Sequence, residues 1–146
     1  MKHKYLYLIV LLLGIMALTG CSSNTQTTPT GNVVADINDD TGKVTVYFFW
    51  GDGCPHCAAE KPFLEEMESK YPEVEVKMFE TWKDPENAAL FQKVAEAYDT
   101  TARGVPTTFI GEEHWIGYAG YMGEEMEQKI KDCIENGCPN PGDKLN

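Results

Sequence analysis

The feature that most constrains this chain is a strand-like segment that leads through a glycine-containing break into two cysteines and a helix. Residues 44–50, Val-Thr-Val-Tyr-Phe-Phe-Trp, are β-branched and aromatic, which favours a strand. Residues 51–53, Gly-Asp-Gly, interrupt the strand, and residues 58–71 have a helical pattern. Cys54 and Cys57 lie between the two at CxxC spacing. Cys54 is therefore predicted at a helix N-terminus, where unpaired N–H groups and the helix dipole favour an anion such as a thiolate.

Two further motifs extend this pattern and carry a resemblance to a known family. Residues 49–50 are Phe-Trp, residues 54–57 are Cys-Pro-His-Cys, and residues 104–107 are Gly-Val-Pro-Thr. Over roughly residues 43–135 the chain resembles the thioredoxin superfamily, in which a cis proline before a strand faces the CxxC pair. The Pro-His dipeptide is similar to that of the DsbA-type thiol oxidants and differs from the Gly-Pro of thioredoxin itself.

The remaining hydrophobic patterns complete the expectation of a single α/β domain. Alternating polar and apolar side chains predict a half-buried strand at 73–79. Asp84 is the predicted N-cap of a helix, and apolar residues at helical spacing after it predict that this helix continues to about Tyr98. The other elements expected are strands at 107–110 and 114–118, a hairpin turn at 111–113 and a helix at 123–134. The order β-α-β-α-β-β-α matches a thioredoxin-like domain with a central mixed sheet of about four strands flanked by helices.

Residues 1–20 have the pattern of a signal peptide. A basic start, Met-Lys-His-Lys, is followed by an apolar stretch at 5–17, which is shorter than the roughly 20 residues that a spanning helix needs. The tetrad at 18–21, Leu-Thr-Gly-Cys, resembles the lipobox of prokaryotic lipoproteins. By that resemblance the leader is cut before Cys21, and Cys21 is lipidated and anchors the mature protein to a membrane. An uncleaved N-terminal anchor is the alternative interpretation.

The predicted domain boundaries follow from these segments. Residues 21–42 are interpreted as the lipidated cysteine and a flexible tether, because residues 22–31 contain no apolar side chain that a core would bury. Within this segment, residues 33–35, Val-Val-Ala, could form a short edge strand. The thioredoxin-like domain is expected at 43–138, and residues 139–146 are expected to form a C-terminal tail.

Charge and cysteine content narrow the partners and the compartment. The formal net charge of −11 leaves no basic patch to neutralise phosphates, so we expect no nucleic acid partner. The five cysteines divide into the lipidated Cys21 and two pairs, Cys54 with Cys57 and Cys133 with Cys138. No odd thiol remains, which is typical of a protein in an oxidising, extracytoplasmic compartment.

The two cysteines of the CxxC motif are expected to have different roles. Cys54 is the candidate nucleophile, with an exposed sulfur and a depressed pKa, and Cys57 is the buried thiol that displaces substrate from a mixed disulfide. A partly cationic His56 beside Cys54 is expected to stabilise the thiolate, which makes the disulfide a better oxidant. The alternatives are a structural disulfide or half of a metal site for the cysteines, and an exposed residue without a role for His56.

The Val-Pro-Thr motif is the candidate substrate-binding segment. Pro106 has no N–H, so the backbone of Val105 is left to face the active site. The family resemblance implies that the backbone of Val105 pairs with the substrate backbone like an added strand, and that Pro55 and Pro106 also contact the substrate. The resemblance also implies that Pro106 belongs to the catalytic residues. The alternative interpretation of Pro106 is an ordinary turn proline.

Proton transfer is less clearly assigned by the sequence. Thioredoxin has a buried aspartate in the strand before its CxxC motif, and alignment on residues 49–50 places Phe48 at that position, so the proton acceptor is expected to be missing. Lys77 falls near the buried lysine of the family, and Glu80 follows the second strand as a substitute acid. Lys77 and Glu80 are therefore candidates for proton transfer.

Cys133 and Cys138 are the candidates for a structural disulfide. They flank Asn136-Gly137, which is a signal for a helix C-terminus, and prolines follow. A disulfide here would hold the tail against the last helical turn, with modest stabilisation because the closed loop is short. A second redox pair is the alternative.

Together these observations predict an extracytoplasmic, membrane-anchored thiol–disulfide oxidoreductase that acts on protein thiols or disulfides. It is expected to be a monomer, to use the Cys54–Cys57 disulfide in place of a bound cofactor or metal, and to exchange electrons with a membrane redox partner. One rival is a partner-fed reductant, for example in cytochrome maturation. Another is a copper-binding module that uses Cys54, Cys57 and His56. A four-cysteine zinc site is a third.

Overall fold

The central sheet of the domain has four strands, and helices cover both of its faces. The computed structural model describes residues 43–145, so the predicted leader, Cys21, the tether and the strand at 33–35 lie outside the described residues. The strands are β1 (Val44–Trp50), β2 (Val74–Glu80), β3 (Thr107–Ile110) and β4 (Glu113–Ile116). The helices are α1 (Pro55–Lys70), α2 (Pro85–Ala97), α3 (Gly120–Asn136) and a 3-10 helix (Pro141–Leu145). The predicted fold class is confirmed.

The order of the strands across the sheet is β2-β1-β3-β4. β1 runs parallel to β2 and antiparallel to β3, and β3 runs antiparallel to β4. Thr107 is the partner of Phe49 on one side and of Ile116 on the other. We call the end where β1, β2 and β4 finish and β3 begins the carboxyl end, and the opposite end the amino end. The CxxC motif and the Val-Pro-Thr motif therefore meet at the carboxyl end.

β1 is buried on both faces, and its side chains alternate between two cores. Val46 and Phe48 belong to a core that also contains buried residues of α1 and α3. Tyr47 and Phe49 belong to an aromatic core that α2 covers. A nearly continuous apolar strand is expected where helices pack on both faces of a sheet, and this explains why the sequence of β1 lacks polar alternation.

α1 begins at Pro55 with Cys54 as its N-cap, as predicted, whereas α3 begins at Gly120, earlier than its pattern predicted. At α3 the N-cap is Ala119, which makes no side-chain capping bond, so the sequence carries no polar cap residue that would mark the start. At α2 the predicted cap is present, because Asp84 accepts hydrogen bonds from the N–H groups of Glu86 and Asn87 at 2.9 and 3.0 Å.

The C-terminal segment packs against the domain through contacts that no local pattern predicted. Its 3-10 helix lies near α2, and Leu145 packs against the aromatic core. Asn140 donates a hydrogen bond to the Thr45 hydroxyl at 3.0 Å, and Lys144 pairs with Glu112 at 3.2 Å. Within residues 43–145, no helix combines the length and apolar character that crossing a bilayer requires.

Candidate active site

The CxxC motif forms a disulfide at the first turn of α1. Cys54 and Cys57 are bonded through their sulfurs, with their Cα atoms 5.3 Å apart. Cys54 is the N-cap of the helix, and Pro55 is its first residue. The Cys57 N–H donates to Cys54 Sγ at 3.2 Å. The sulfur of Cys54 thus occupies the anion position of a helix N-terminus, where a backbone donor already points at it.

Both cysteines of the motif are buried, although the sequence predicted an exposed sulfur for Cys54. Cys54 is 5% exposed and Cys57 is 1% exposed. The expectation of an exposed Cys54 sulfur is therefore wrong for the disulfide form. A cavity of about 250 Å³ opens at this position, and its walls include Trp50, Pro55 and Lys61. The cavity leaves space beside Cys54 that a substrate sulfur could occupy.

The Val105–Pro106 peptide bond is cis and lies beside the disulfide. The carbonyl oxygen of Val105 is 3.7 Å from Cys54 Sγ. Pro106 uses its own carbonyl to accept a hydrogen bond from the Gly117 N–H at 2.8 Å, and Thr107 donates its hydroxyl to the Gly104 carbonyl at 2.9 Å. Within residues 43–145, the N–H and carbonyl of Val105 make no backbone hydrogen bond, so both remain available to an incoming strand.

A buried glutamate lies one helical turn beyond Cys57, and the sequence analysis did not single it out. Glu60 is on the same buried face of α1 as Cys57, and its side chain is fully enclosed. It accepts a hydrogen bond from the hydroxyl of Thr108. Burial raises the pKa of Glu60 to about 7, and the Thr108 hydrogen bond opposes this rise only in part. Glu60 can therefore take up or release a proton near neutral pH.

Glu60 is a buried carboxyl group in a site where the sequence predicted that the buried acid would be missing. Phe48, at the position where the resemblance to thioredoxin implied an aspartate, is the cross-strand partner of Thr108, and Thr108 bonds to Glu60. Helix α1 thus brings a carboxyl group to the residue that pairs with Phe48. The signal in the sequence was an acidic residue three positions after Cys57, on the apolar face of a helix.

Glu80 lies at the carboxyl end of the sheet but acts as a loop cap. Its carboxylate accepts hydrogen bonds from the N–H groups of Asp52, Trp82 and Lys83 at 3.1, 3.2 and 2.7 Å. Desolvation pushes the pKa of Glu80 upward, but the backbone hydrogen bonds outweigh it and lower the pKa overall. A carboxylate held ionised in this way is a weaker candidate for proton transfer than Glu60.

Lys77 lies on the other side of the sheet from the disulfide. It is in the middle of β2, opposite Tyr47, and its ammonium is 3.9 Å from the carboxylate of Glu75. Tyr47 belongs to the aromatic core under α2, whereas Cys57 belongs to the core under α1 and α3. The structure therefore does not bring Lys77 together with the cysteine pair.

The remaining charged groups around the disulfide lie at its rim. His56 is exposed in the first turn of α1, next to Cys57 in the chain. Lys83 forms an ion pair with Asp52, and its hydrogen bond is the main reason that the pKa of Asp52 is lowered. Lys61 places its ammonium 3.1 Å from the centre of the Trp50 ring, which is a cation–π contact.

Two tryptophans outside β1 differ in exposure. Trp115 is 9% exposed and donates its indole N–H to Glu125 at 3.2 Å. Trp82 is 59% exposed, and its ring lies against Gly51. A Cβ atom at position 51 would be 2.3 Å from the indole, so only glycine permits this contact. Trp82 therefore contacts the loop before Cys54 and leaves most of its surface in solvent.

The second cysteine pair lies at the amino end of the sheet. Cys133 and Cys138 form a disulfide with their Cα atoms 4.9 Å apart, across the positive-φ residue Gly137. The sulfurs pack against the turn between β3 and β4, where a Cβ on Gly111 would approach Cys133 Sγ to 3.2 Å. The two disulfides are thus at opposite ends of the sheet.

The arrangement of possible metal ligands in the described residues does not favour the metal-binding alternatives. Among residues 43–145, no group of three or more His, Cys, Asp or Glu side chains is arranged to hold a metal ion. A four-cysteine zinc site would need both pairs together, but β3 separates the cis proline, beside one pair, from Gly111, beside the other.

Comparisons with known proteins agree with this geometry. Residues 44–115 match the family model of glutaredoxin. A protein of Chlorobium tepidum described as a thiol:disulfide interchange protein DsbE has a similar structure, with a TM-score of 0.51 and 20% identity over 64% of this chain and 82% of its own. A periplasmic thioredoxin-like protein of Salmonella enterica serovar Typhimurium gives 0.50 and 17% over 75% and 100%. No curated protein matches the chain in sequence.

The chain therefore has a thioredoxin-like fold with a CxxC disulfide at the start of its first helix. The family match and the fold together point to thiol–disulfide oxidoreductase activity. Proteins of this class act on the thiols or disulfides of protein substrates.

Proposed function

We propose that the chain is an extracytoplasmic, membrane-anchored thiol–disulfide oxidoreductase that oxidises protein thiols through Cys54 and Cys57. The observation that carries the proposal is the Cys54–Cys57 disulfide at a helix N-terminus, beside the open backbone of Val105. The helix N-terminus favours the thiolate of reduced Cys54, and the neighbouring backbone offers a place for substrate to pair.

In the proposed reaction a substrate thiolate attacks Cys54 Sγ, and the Cys54–Cys57 bond breaks. Cys57 leaves as a thiolate that takes up a proton, for which Glu60 is the nearest buried acid on the same face of α1. A second substrate thiolate then attacks the substrate sulfur of the mixed disulfide and releases Cys54 as a thiolate. Two electrons pass from the substrate to the cysteine pair, and the substrate gains one disulfide.

The location is part of the proposal and is supported by the sequence. Residues 1–20 have the pattern of a leader, and the tetrad that ends at Cys21 resembles a lipobox. Lipidation of Cys21 would tether the domain to the membrane, where a redox partner can reoxidise Cys54 and Cys57. Two disulfides in one small domain also fit an oxidising compartment. Radiolabelled fatty acid should be incorporated into the wild-type chain and not into Cys21→Ser.

A partner-fed reductant is the second candidate, and Glu60 is compatible with it as well as with the oxidant. The carboxyl group that gives a proton to departing Cys57 can also accept the Cys57 proton when Cys57 attacks a mixed disulfide, which is the reductive direction. The dipeptide Pro55-His56 favours the oxidant, which is therefore the first candidate.

The redox potential decides between the two candidates. The full chain in detergent would be equilibrated with glutathione buffers, and the fraction of reduced Cys54–Cys57 measured by alkylation. An oxidant requires a potential above the value of about −270 mV known for thioredoxin. A potential at or below that value would refute the oxidant proposal and support the reductant.

A further inference from the structure

Most exposed large apolar side chains of the described domain lie at the same end of the sheet as the disulfide. Within residues 43–145, the exposed large hydrophobic residues are Met78, Trp82, Ile116 and Tyr121. Trp82 follows β2, Ile116 ends β4 and Tyr121 is in the first turn of α3, so these three lie at the carboxyl end of the sheet. Met78 lies within β2, away from that end. This distribution places exposed apolar area at the end of the sheet that carries the reactive bond.

Trp82 has the closest connection to the reactive loop. Its ring covers Gly51, and the Gly51 carbonyl accepts the N–H of Cys54 at 3.1 Å. Along the sheet, Trp82 lies on the β2 side of Cys54, whereas Val105 lies on the β3 side. Substrate residues that extend from Cys54 to the β2 side, away from Val105, therefore come near the indole.

The backbone that carries Trp82 is held firmly, although its side chain is mostly in solvent. The Trp82 N–H donates to Glu80, and the Thr81 N–H donates to the Trp50 carbonyl at 2.8 Å. Lys83 binds Glu80 through its N–H and Asp52 through its ammonium. Four hydrogen bonds join residues 80–83 to Trp50 and Asp52 before Cys54. A substrate contact made by Trp82 therefore needs little reordering of the backbone.

We propose that Trp82 is a specificity-determining residue that selects substrate segments with an apolar side chain next to the reacting cysteine. This inference rests on the proposed function and names its substrate class. The selection is apolar, because the flanking charges of Lys83 and Asp52 neutralise each other. An aliphatic or aromatic side chain of the substrate packs on the exposed face of the indole and is withdrawn from water.

The test compares two reduced dithiol peptides that are identical except at the positions flanking the attacking cysteine, with leucine in one and serine in the other. The full chain in detergent oxidises each peptide, and kcat/KM is measured. The wild type should prefer the leucine peptide, and Trp82→Ala should reduce that preference by about three- to tenfold, since aromatic contacts contribute on this scale. Trp82→Phe should retain most of the preference.

The matched control is Met78→Ala, which removes another exposed large apolar side chain and should leave the preference unchanged. The potential in glutathione buffer and the rate with dithiothreitol should be the same for wild type and Trp82→Ala, because neither involves flanking residues. Equal rates with both peptides in the wild type, or an undiminished preference in Trp82→Ala, would overturn the inference and leave the oxidoreductase intact. If Trp82→Ala loses the preference for the leucine peptide and also has a changed redox potential, the inference is overturned, because Trp82 would then act by supporting the loop before Cys54. Failure of the wild type to oxidise either peptide would refute both proposals.

Discussion

Both disulfides of this domain join cysteines near a helix terminus, but one lies at a helix N-terminus and the other at a helix C-terminus. Cys54 is the N-cap of α1, and Cys133 is in the last turns of α3, where its carbonyl accepts the N–H of Gly137 at 2.9 Å. Backbone N–H groups and the positive end of the dipole stabilise a thiolate at Cys54, whereas carbonyls and the negative end oppose one at Cys133. From this comparison we expect helix position to separate a reactive cysteine pair from a less reactive one.

The surroundings of the two disulfides reinforce this difference. Beside Cys54 lie an open cavity, the free backbone of Val105 and a buried carboxyl group on the same helix. Beside Cys133 lies the turn at Gly111, and its partner Cys138 is half-buried against the core. The first disulfide is therefore distinguished by the cavity and the backbone beside it and not by greater exposure, and we expect the second to hold the C-terminal segment against the turn.

The largest effect should come from the nucleophile. Cys54→Ser should abolish oxidation of peptide thiols, because the leaving and attacking roles of its sulfur have no replacement, while Cys57→Ser should accumulate mixed disulfides. The corresponding change Cys133→Ser should leave turnover within about tenfold of wild type, or about 1.4 kcal/mol in the barrier. Iodoacetamide at pH 6 should label Cys54 of the reduced protein first, and faster labelling of Cys57 or Cys133 would reverse the comparison.

Glu60 should give the next largest effect, on the pH dependence of stability in the oxidised protein. Its folded pKa of about 7 is above its ordinary value of 4.5, so its contribution is fully present below pH 4.5 and is lost as the pH rises through 7. The loss is on the order of 3 kcal/mol of unfolding free energy, and Glu60→Gln should remove it. Urea denaturation of the wild type and of Glu60→Gln between pH 4.5 and 8 gives, for each protein, the slope of the unfolding free energy against pH.

Glu80→Gln is the matched control for Glu60, because its pKa shift has the opposite sign. Glu80 has a lowered pKa, so its stabilising contribution is present above pH 4.5 and is lost only in more acidic solution. Glu80→Gln should therefore leave the slope between pH 4.5 and 7 unchanged. The burial argument for Glu60 fails if both variants flatten that slope equally.

The second disulfide should contribute to stability and little to turnover. Replacing both Cys133 and Cys138 by serine opens a loop of six residues, which should lower the unfolding free energy by about 2 kcal/mol in the chain-entropy account. Urea denaturation measures this loss, and peptide oxidation measured in parallel should stay within about tenfold of wild type. A larger loss of activity with unchanged stability would make this pair a redox relay.

The smallest effect is expected from His56, which is exposed beside the reactive pair. His56→Gly should raise the pKa of the Cys54 thiol and make the potential more negative, because both quantities follow from thiolate stability. A shift on the order of 30 mV corresponds to about 1.4 kcal/mol for this two-electron couple. The glutathione equilibrium gives the potential, and absorbance of the thiolate gives the pKa. A pKa that changes without the potential would separate His56 from the redox chemistry.

Sequence reasoning predicted the elements that local chemistry constrains. β1 was found with its observed bounds, because its run of β-branched and aromatic residues ends at a glycine. The cysteine pairing and the Asp84 cap were equally readable, since each depends on residues a few positions apart. The start of α3 was placed too late, because Ala119 is not a capping residue.

The misassigned residues depend on distant parts of the chain. The position of Glu80 near the end of β2 predicted a substitute acid, but its carboxylate accepts hydrogen bonds from three backbone N–H groups of two loops. Glu60 was overlooked because its burial depends on Thr108 and β3, 48 residues away. The exposure of Trp82 likewise follows from how the segment after β2 is held, and no local pattern in the sequence encodes it.

The sequence by itself determined the reactive chemistry of this protein: a cysteine pair at a strand-to-helix junction, and a Val-Pro-Thr segment suited to face it. These features follow from backbone preferences and helix-terminal electrostatics, which act over a few residues. Only the tertiary structure decided which carboxyl group is buried beside the pair and which tryptophan flanks it. Burial and exposure arise from contacts between distant segments, and the pKa of an acid or the availability of an indole follows from those contacts.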